Sequence, residues 1–591
     1  MRFKMKKLSL IAMAVATVLT GCGGDDSSSN NNGNNGNTAQ KAEKPVIAIP
    51  AQGQFIDAKI EGLHFTSGSK QGFTNEVGRY EIDTNIANVT FILGGEINGV
   101  VDGLVIGNVS PRQITTPFEA AGTFQRSVNL ARLLLTINGN ADDQLIVIPE
   151  AIKAPDATMV SALKRVTLDD IEASSAAVLG LLGKTPADLI SAEEAQEHLV
   201  ASLGPLTRGS NDKLTHWAKG SNWAFVERSA SQRVRNKADS GFQLVIHADR
   251  TLGNEVFTKT VGLAATTFTA ANDLLLVHKG SNDSGISGAF AAQYLTCVKE
   301  NGTFSWSGNE DNKKPLCNGT EIAVAPELND VASGSGHYQL SVTDPLEAST
   351  VDKTWPWTEI KEMGGAYACI ADASCSEQTL TKFEVVTRDD SDAQDGSQMQ
   401  KETISGSYDP ITDVYVQTRS KEYLNGKYQG RVEEAINFIY PVEAVGQDRY
   451  VDFIGTWSSV MTEPGCDKVA VATYTFDANG LTTSGEELNG NGSGCYLADL
   501  NETVSYQELA NMDYWWFTTN AAGASKATLD QLNSTIRWND RDKDDTVDNF
   551  KINRFSYIPA GKNWDRGVLV RDTLDSQGNK VHTQTLTKIS Q

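Results

Sequence analysis

Ala470-Val471-Ala472-Thr473-Tyr474-Thr475-Phe476, followed by Asp477-Ala478-Asn479-Gly480, decides the fold class of this 591-residue chain. Side chains along the first run alternate in the way that a β-strand with one buried face requires, and the second run supplies turn residues. Similar short runs continue to the C-terminus. We therefore predict a C-terminal β domain over residues 446–591, built as a barrel or a sandwich.

The region upstream, residues 206–445, also alternates between short strand-like runs and turn-rich gaps, which predicts a β-rich central domain. It contains Trp355-Pro356-Trp357. Proline forces extended backbone and withholds a hydrogen-bond donor, so this segment is unsuited to the middle of a sheet. Trp355 and Trp357 are therefore candidates for stacking on a ligand such as a sugar; packing in a β core is the alternative.

Residues 46–115 combine alternating β-formers with Gly and Asn turns, which predicts a small antiparallel β module. Residues 116–205 have helical spacing, most clearly from Phe124 to Ile137, and Ser191 with Glu194 forms a capping box that opens a later helix. The predicted fold class is therefore mainly β and multidomain, and α+β when the helical segment is included.

The first 22 residues have a cationic start and then an apolar run from Leu8 to Leu19. A helix of about 12 residues spans roughly 18 Å, which is too short for a hydrocarbon core of about 30 Å, so residues 1–21 are predicted to be a signal peptide. Leu19-Thr20-Gly21-Cys22 resembles the lipobox of bacterial lipoproteins. This resemblance implies that signal peptidase recognises Leu19, Thr20 and Gly21, and that Cys22 becomes acylated on its sulfur and its amine.

Two or three acyl chains make such an attachment effectively permanent, so the lipid bilayer is a predicted partner through acylated Cys22. Gly23 follows the lipidated cysteine, and the lack of Asp at that place resembles lipoproteins sent to the outer membrane. Residues 22–45 are rich in Ser, Asn and Gly and form a predicted disordered tether. We expect surface display, with a periplasm-facing arrangement as the alternative.

The N-terminal module resembles that of γ-proteobacterial surface lipoproteins. The match lies in Gly62-Leu63-His64-Phe65, in the segments Thr74 to Tyr80 and Val89 to Gly94, in the helix Val128-Asn129-Leu130-Ala131-Arg132-Leu133-Leu134, and in the Asn138 to Asp143 loop before an apolar strand. Further on, Gly455-Thr456-Trp457 is similar to the opening of lipocalin-like barrels and of "GTW" envelope domains. The resemblance implies display at the cell envelope and names no reaction.

Charge and cysteine content narrow the partners and the compartment. The formal net charge of −23 disfavours nucleic acid, and a glycan or an envelope protein remains a candidate partner. An exported chain meets an oxidising compartment, where six cysteines allow 15 connectivities. We choose the sequence-local one, which pairs the cysteines other than Cys22 as Cys297 with Cys317, Cys369 with Cys375, and Cys466 with Cys495.

The sharpest local motif is the acidic run from Asp540 to Asp548. Asp540, Asp542, Asp544 and Asp548 occupy positions 1, 3, 5 and 9 of a calcium-loop pattern. Asp545 stands where glycine makes the sharp turn, and a lysine stands at position 12 in place of glutamate. A structural Ca²⁺ and a solvated acidic turn therefore both remain open, and no cofactor is required.

Sequence motifs of hydrolases, nucleotide-binding proteins and zinc proteases do not occur in this chain. We therefore predict a surface-displayed envelope lipoprotein that acts as a non-catalytic binding or adhesion module. Two alternatives stay open: a glycan- or lipid-acting hydrolase with dispersed carboxylates, and a structural accessory subunit of an envelope complex.

Overall fold

The structure is a computed structural model in which Pro45–Gln591 forms one compact unit. The described residues are 47–140, 144–206, 208–217, 222–233, 250–252, 256–257, 260–261, 264–269, 274–277, 304–307, 314–322, 338–341, 369, 374–389, 399–426, 429–442, 450–489, 495–511, 525–533, 535–539, 550–574 and 580–590. The fold is mainly β, with several separate sheets and a few helices, as the sequence predicts. Among the described helices, none is both long enough and apolar enough to cross a membrane.

The N-terminal module contains nine strands. They are β1 (Gln52–Phe55), β2 (Lys59–Glu61), β3 (His64–Ser67), β4 (Lys70–Phe73), β5 (Arg79–Glu81), β6 (Val89–Ile97), β7 (Val100–Val109), β8 (Ile114–Thr115) and β9 (Leu145–Val147). The main sheet has the order β4-β3-β6-β7, and the smaller sheets are β5-β1-β8 and the parallel pair β2-β9. The alternating run from Phe55 to Phe65 is divided among three strands because the chain turns at Asp57-Ala58 and Gly62 has a φ of +87°.

Seven helices follow the main sheet. They are α1 (Pro117–Ala121), α2 (Phe124–Ile137), α3 (Glu150–Lys153), α4 (Ala157–Lys164), α5 (Ile171–Ser174), α6 (Ala176–Leu181) and α7 (Ala192–Leu203), with a 3₁₀ turn at Pro186–Asp188. The capping box of α7 forms as predicted, since Glu194 N–H donates to Ser191 Oγ at 3.2 Å and Ser191 N–H donates to Glu194 Oε2 at 3.1 Å. Helices α1 to α6 bury apolar residues in one cluster with the main sheet, which includes Phe91 and Leu133. Helix α7 packs in a second cluster with Phe118 and Phe124.

Among its described residues, the central region forms three antiparallel sheets. Its strands are β10 (Asn222–Arg233), β11 (Arg250–Leu252), β12 (Val256–Phe257), β13 (Thr260–Val261), β14 (Ala264–Thr269), β15 (Leu274–Val277), β16 (Phe304–Ser307), β17 (Lys314–Cys317), β18 (Thr320–Glu321), β19 (Tyr338–Ser341), β20 (Lys382–Asp389), β21 (Met399–Asp409), β22 (Val414–Tyr423) and β23 (Arg431–Val442), with helix α8 (Glu377–Leu380) before β20. The largest sheet has the order β12-β11-β10-β23-β22-β21-β20, and the others are β13-β14-β15-β19 and β16-β17-β18.

The C-terminal region forms one eight-stranded antiparallel sheet. Its elements are β24 (Tyr450–Asp452), β25 (Gly455–Thr462), β26 (Ala470–Phe476), β27 (Gly480–Asn489), β28 (Tyr496–Ser505), α9 (Tyr506–Asn511), β29 (Lys526–Thr528), α10 (Leu529–Leu532), β30 (Thr535–Asn539), β31 (Phe550–Ala560), β32 (Arg566–Leu574) and β33 (Lys580–Ser590). The order is β28-β27-β26-β25-β33-β32-β31-β30, so the first strand of the sheet pairs with the last, and β24 pairs with β29 separately.

The inner face of this sheet is filled by its own side chains together with side chains of the central sheet and of Phe453. Trp457 is fully buried, stacks on Phe453 with ring centroids 4.8 Å apart, and donates its indole N–H to Phe453 O at 2.8 Å. The same hydrophobic cluster contains Phe438 from β23 and Leu586 from β33. The largest central sheet and the C-terminal sheet therefore share one hydrophobic core, which includes residues from both sides of the predicted domain boundary at residue 445.

Candidate functional site

A cleft of about 820 Å³ lies between the main N-terminal sheet and the C-terminal sheet. Two strands of the C-terminal sheet contribute alternate residues to its wall: Ser458 and Val460 of β25, and Thr585, Thr587 and Ile589 of β33. Alternate residues of a strand point to one face, and Trp457 points to the opposite, filled face. The volume falls in the range of roughly 300–1,000 Å³ that small-molecule sites occupy.

The lining of the cleft is aliphatic and hydroxylated. Within the described part of the chain, none of the lining side chains is aromatic. Three aliphatic ones are strongly exposed: Val100 at 64%, Ile589 at 45% and Ile86 at 41%. Exposed aliphatic side chains gathered around one concavity are typical of a binding site, whereas scattered ones need no explanation.

The hairpin between β6 and β7 places Val100 at the cleft. Asn98 and Gly99 connect the two strands with φ values of +55° and +80°. Positive φ at both central positions is the geometry of a type I′ turn, and Asn-Gly is its preferred sequence. Gly99 and Val100 both line the cleft, so the turn residues determine where its apolar rim begins.

A buried polar network joins the two walls. Thr90 Oγ1 donates to Asn108 Oδ1 at 2.6 Å, and Asn88 Nδ2 lies 3.4 Å from the same oxygen. Asn108 Nδ2 then donates to Lys588 O of β33 at 3.3 Å. Asn88 and Thr90 line the cleft, so these hydrogen bonds connect its N-terminal wall to β33, a strand near the other end of the chain.

Two ion pairs include a residue that lines the cleft. Arg126 of α2 contacts Asp169 and also donates from Nη1 to Thr585 Oγ1 at 2.9 Å. Lys164 Nζ lies 3.2 Å from Asp102 Oδ2, and both of these side chains are partly exposed. Arg126 and Lys164 are lining residues whose positive charges are thus neutralised locally.

Arg566 is the third cationic residue of the lining. None of the ion pairs found among the described residues includes it. Burial lowers the pKa of its guanidinium, and Asp565 and Tyr557 act in the opposite direction. A half-buried guanidinium with no ion pair found in the described part of the chain is a suitable partner for a ligand anion.

A serine, a histidine and an aspartate also meet elsewhere, between α7 and the turn after β1. Ser202 Oγ lies 3.3 Å from His198 Nε2, and Asp57 Oδ1 lies 3.7 Å from the same nitrogen. A nucleophilic relay needs the hydroxyl and the carboxylate on opposite ring nitrogens. This group therefore lacks the geometry of a catalytic triad.

Asp57 is nevertheless unusual, because it is fully buried and neither carboxylate oxygen has a hydrogen-bond partner among the described residues. Burial raises its pKa to about 7. The contact with His198 is an ion pair only when the imidazole is protonated. Asp57 therefore makes the stability of the module depend on pH.

A buried charge cluster lies between α1 and the central sheet. Glu119 Oε1 accepts from Arg208 at 2.7 Å and lies 4.0 Å from Arg112, which also contacts Asp409 at 3.5 Å. Burial alone would raise the pKa of Glu119, but Arg208, Arg112 and the hydrogen bonds from Thr116 lower it to about 2. The adjoining cavity is only about 40 Å³, so this cluster connects structural elements and leaves no room for a substrate.

The structure brings together two of the expected cysteine pairs. Cys369 is bonded to Cys375, and Cys466 is bonded to Cys495. Cys317 is disulfide-bonded as well, and its expected partner Cys297 lies outside the described residues. Asp467 lies close to both sulfurs of the second pair, but bonded thiols cannot ligate a metal, so this group is not a metal site.

The other predicted site residues lie outside the described part of the chain. They are Leu19, Thr20, Gly21, Cys22, Trp355, Trp357, Asp540, Asp542, Asp544 and Asp548. They stay predictions.

The helix motif that carries the lipoprotein resemblance has a structural explanation. Asn129 Nδ2 donates to Leu168 O at 2.8 Å, and Arg132 donates from Nε to Ile190 O at 2.7 Å and from Nη2 to Glu172 at 2.9 Å. Asn129 and Arg132 are buried on α2. Both polar residues of the motif therefore fasten the loops around the helix.

Comparison with known proteins gives little. No family model matches the chain, and no curated protein matches it. Among solved structures, it is similar to a protein of unknown function from the DUF3598 family of Nostoc punctiforme, at 8% identity over 64% of this chain and 99% of that one. The TM-score is 0.13, so no conclusion on fold or function is drawn from this similarity.

Proposed function

We propose that this chain is a lipid-anchored lipoprotein of the bacterial outer membrane that binds a ligand without catalysing a reaction. The observation that carries the proposal is the cleft between the two sheets, with its exposed aliphatic rim and its hydroxylated walls. The signal peptide, the Cys22 lipobox and the Ser/Asn/Gly tether of the sequence support the location.

The lack of relay geometry around His198 favours binding over hydrolysis at the one place where a serine, a histidine and an aspartate meet among the described residues. Display towards the outside of the cell belongs to the proposal, with a periplasm-facing arrangement as the alternative. A tether of about 20 residues gives the folded part a reach of roughly 25 Å from the bilayer in either arrangement.

The test is a binding screen with the soluble protein that begins at residue 46. The screen contains envelope polymers, host glycans and amphiphiles, and it compares the native sequence with a Val100→Asp/Ile589→Asp double variant. Both positions are exposed, so the variant should fold. The proposal expects at least one ligand whose binding falls tenfold or more in the variant; retention of no ligand, or equal binding by both proteins, would contradict it.

A further inference from the structure

We propose that the ligand of the cleft is an anionic amphiphile with a single aliphatic chain, of the long-chain carboxylate type. This inference rests on the proposed function and names its ligand class. It follows from which side chains line the cleft and from their charges.

The first argument is the shape of the apolar surface. Val100 and Ile86 on the N-terminal wall and Ile589 on the C-terminal wall are branched aliphatic residues with large exposed fractions. Val460 and Val471 continue the apolar surface on the same wall as Ile589. Burying a methylene group on such a surface contributes about 0.8 kcal/mol. An alkyl chain therefore gains from every carbon that it lays along the cleft.

The second argument is the lack of flat rings in the described lining. Protein sites for sugars and for exposed bases use aromatic side chains on which a ring can stack, because the faces of aromatic rings suit such contacts. Aliphatic residues and short hydroxyl side chains offer no such platform. The lining therefore favours a flexible alkyl chain over a glycan.

The third argument is charge. Three cationic residues and one carboxylate line the cleft, although the whole chain has a formal net charge of −23. Arg126 and Lys164 have close carboxylate partners, whereas Arg566, which feels the charge of Asp565, is in none of the ion pairs found among the described residues, so its guanidinium is the one offered to a ligand. A carboxylate head group can accept a bidentate, charge-assisted hydrogen bond from it.

The experiment measures calorimetric binding of octanoate, decanoate and dodecanoate, with decyl glucoside as a neutral-headed probe and a chitin oligosaccharide as a glycan probe. The protein is again the full soluble chain from residue 46. We expect affinity to rise roughly fourfold for each added CH₂ that is fully buried, which corresponds to 0.8 kcal/mol. Decyl glucoside should bind at least tenfold more weakly than decanoate, and the oligosaccharide should not bind.

Variants localise the effect. Val100→Asp and Ile589→Asp should each weaken dodecanoate tenfold or more, whereas Val386→Asp, a matched control at a 38% exposed position of β20 outside the cleft, should not. Arg566→Gln should weaken the carboxylate about tenfold and leave decyl glucoside unchanged. Arg79→Gln, an exposed arginine of β5 outside the cleft, is its control.

Two failures can be told apart. If a glycan or peptide binds in a way that Val100→Asp abolishes while dodecanoate does not bind, the cleft remains the site and the ligand class is wrong. If Val100→Asp and Ile589→Asp change the binding of nothing, the proposed function itself is wrong. Equal loss of dodecanoate binding in Val386→Asp would show adsorption to apolar surface in general and would overturn the proposal.

Discussion

At the scale of single residues, two buried carboxylates make opposite demands on pH. Asp57 has a raised pKa because burial disfavours its charge, whereas Glu119 has a lowered one because Arg208 and Arg112 outweigh burial. At neutral pH, Asp57 therefore lowers the free energy of unfolding and Glu119 raises it. Each can be tested in its own pH window.

For Asp57, the folded-state pKa of about 7 lies above the ordinary value of 3.8. The folded state therefore holds a proton more tightly than the unfolded state, and this stabilisation is complete below pH 3.8 and lost as pH rises through 7. Asp57→Asn should remove this dependence. At pH 8 the free energy of unfolding of the variant should exceed that of the native protein by up to about 4 kcal/mol. Urea unfolding at pH 4 and pH 8 checks it, and an equal difference between variant and native protein at both values would refute it.

For Glu119, the sign is reversed. The stabilisation is present above the ordinary pKa of 4.5 and lost as pH falls towards about 2. Glu119→Gln should therefore lower the free energy of unfolding by roughly 3 kcal/mol at pH 7, and the difference from the native protein should shrink between pH 4.5 and 2.5. The measurement is chemical denaturation across that range. If the variant is as stable as the native protein at pH 7, the ion pairs of Glu119 do not offset the free energy that burying its charge costs.

The residue scale also shows what a single sequence can and cannot predict. The local role of Trp457 follows from its Gly-Thr-Trp context, which indicates the start of a strand. The meeting of Asn108 with Lys588 O, or of Arg126 with Thr585, joins positions more than 450 apart and leaves no periodic trace. The cleft was missed for that reason, although Asn98-Gly99 between apolar runs is a hairpin signal that could have located its rim.

At the scale of elements, the β6–β7 hairpin is the part on which the cleft depends most. Gly99 has a φ of +80° and no atom within 4 Å of an added Cβ, so a substitution there strains the backbone alone. Gly99→Ala should lower the free energy of unfolding by about 1 kcal/mol and weaken ligand binding. Gly180→Ala on α6 is the matched control, because it is equally open and has ordinary helical φ; it should stabilise by about 0.5–1 kcal/mol.

Thermal unfolding of both alanine variants, together with the dodecanoate titration, measures this pair. Destabilisation of similar size in both would show that the effect is not specific to the left-handed backbone.

Helices and strands were the most predictable level of the fold. Helix α2 spans Phe124–Ile137 and strand β26 spans Ala470–Phe476, which are the limits that the sequence pattern indicates. Both have strong periodicity and clear caps or turns, whereas the weakly alternating run after Phe55 was divided by a turn.

At the scale of the whole molecule, the two ends of the polypeptide form one structure. The N-terminal module and β33 share hydrogen bonds through Asn108 and Arg126, and the central and C-terminal sheets share a hydrophobic core. Sequence composition indicated separate regions but could not indicate that their strands face each other. A cleft whose walls come from both ends exists only when the whole chain is folded.

The proposed attachment of this chain to a membrane depends on Cys22. If its sulfur carries a diacylglycerol, metabolic labelling with palmitate should mark the native protein and not a Cys22→Ser variant, which should move from the membrane to the soluble fraction. Cys466→Ser is the matched cysteine control, because it should lose a disulfide and keep the label.

Protease added to intact cells should remove the folded part if it faces outward. Equal labelling of the native protein and Cys22→Ser would contradict the anchor, and full protection from protease would place the cleft on the periplasmic side, where its ligands would have to come from within the envelope.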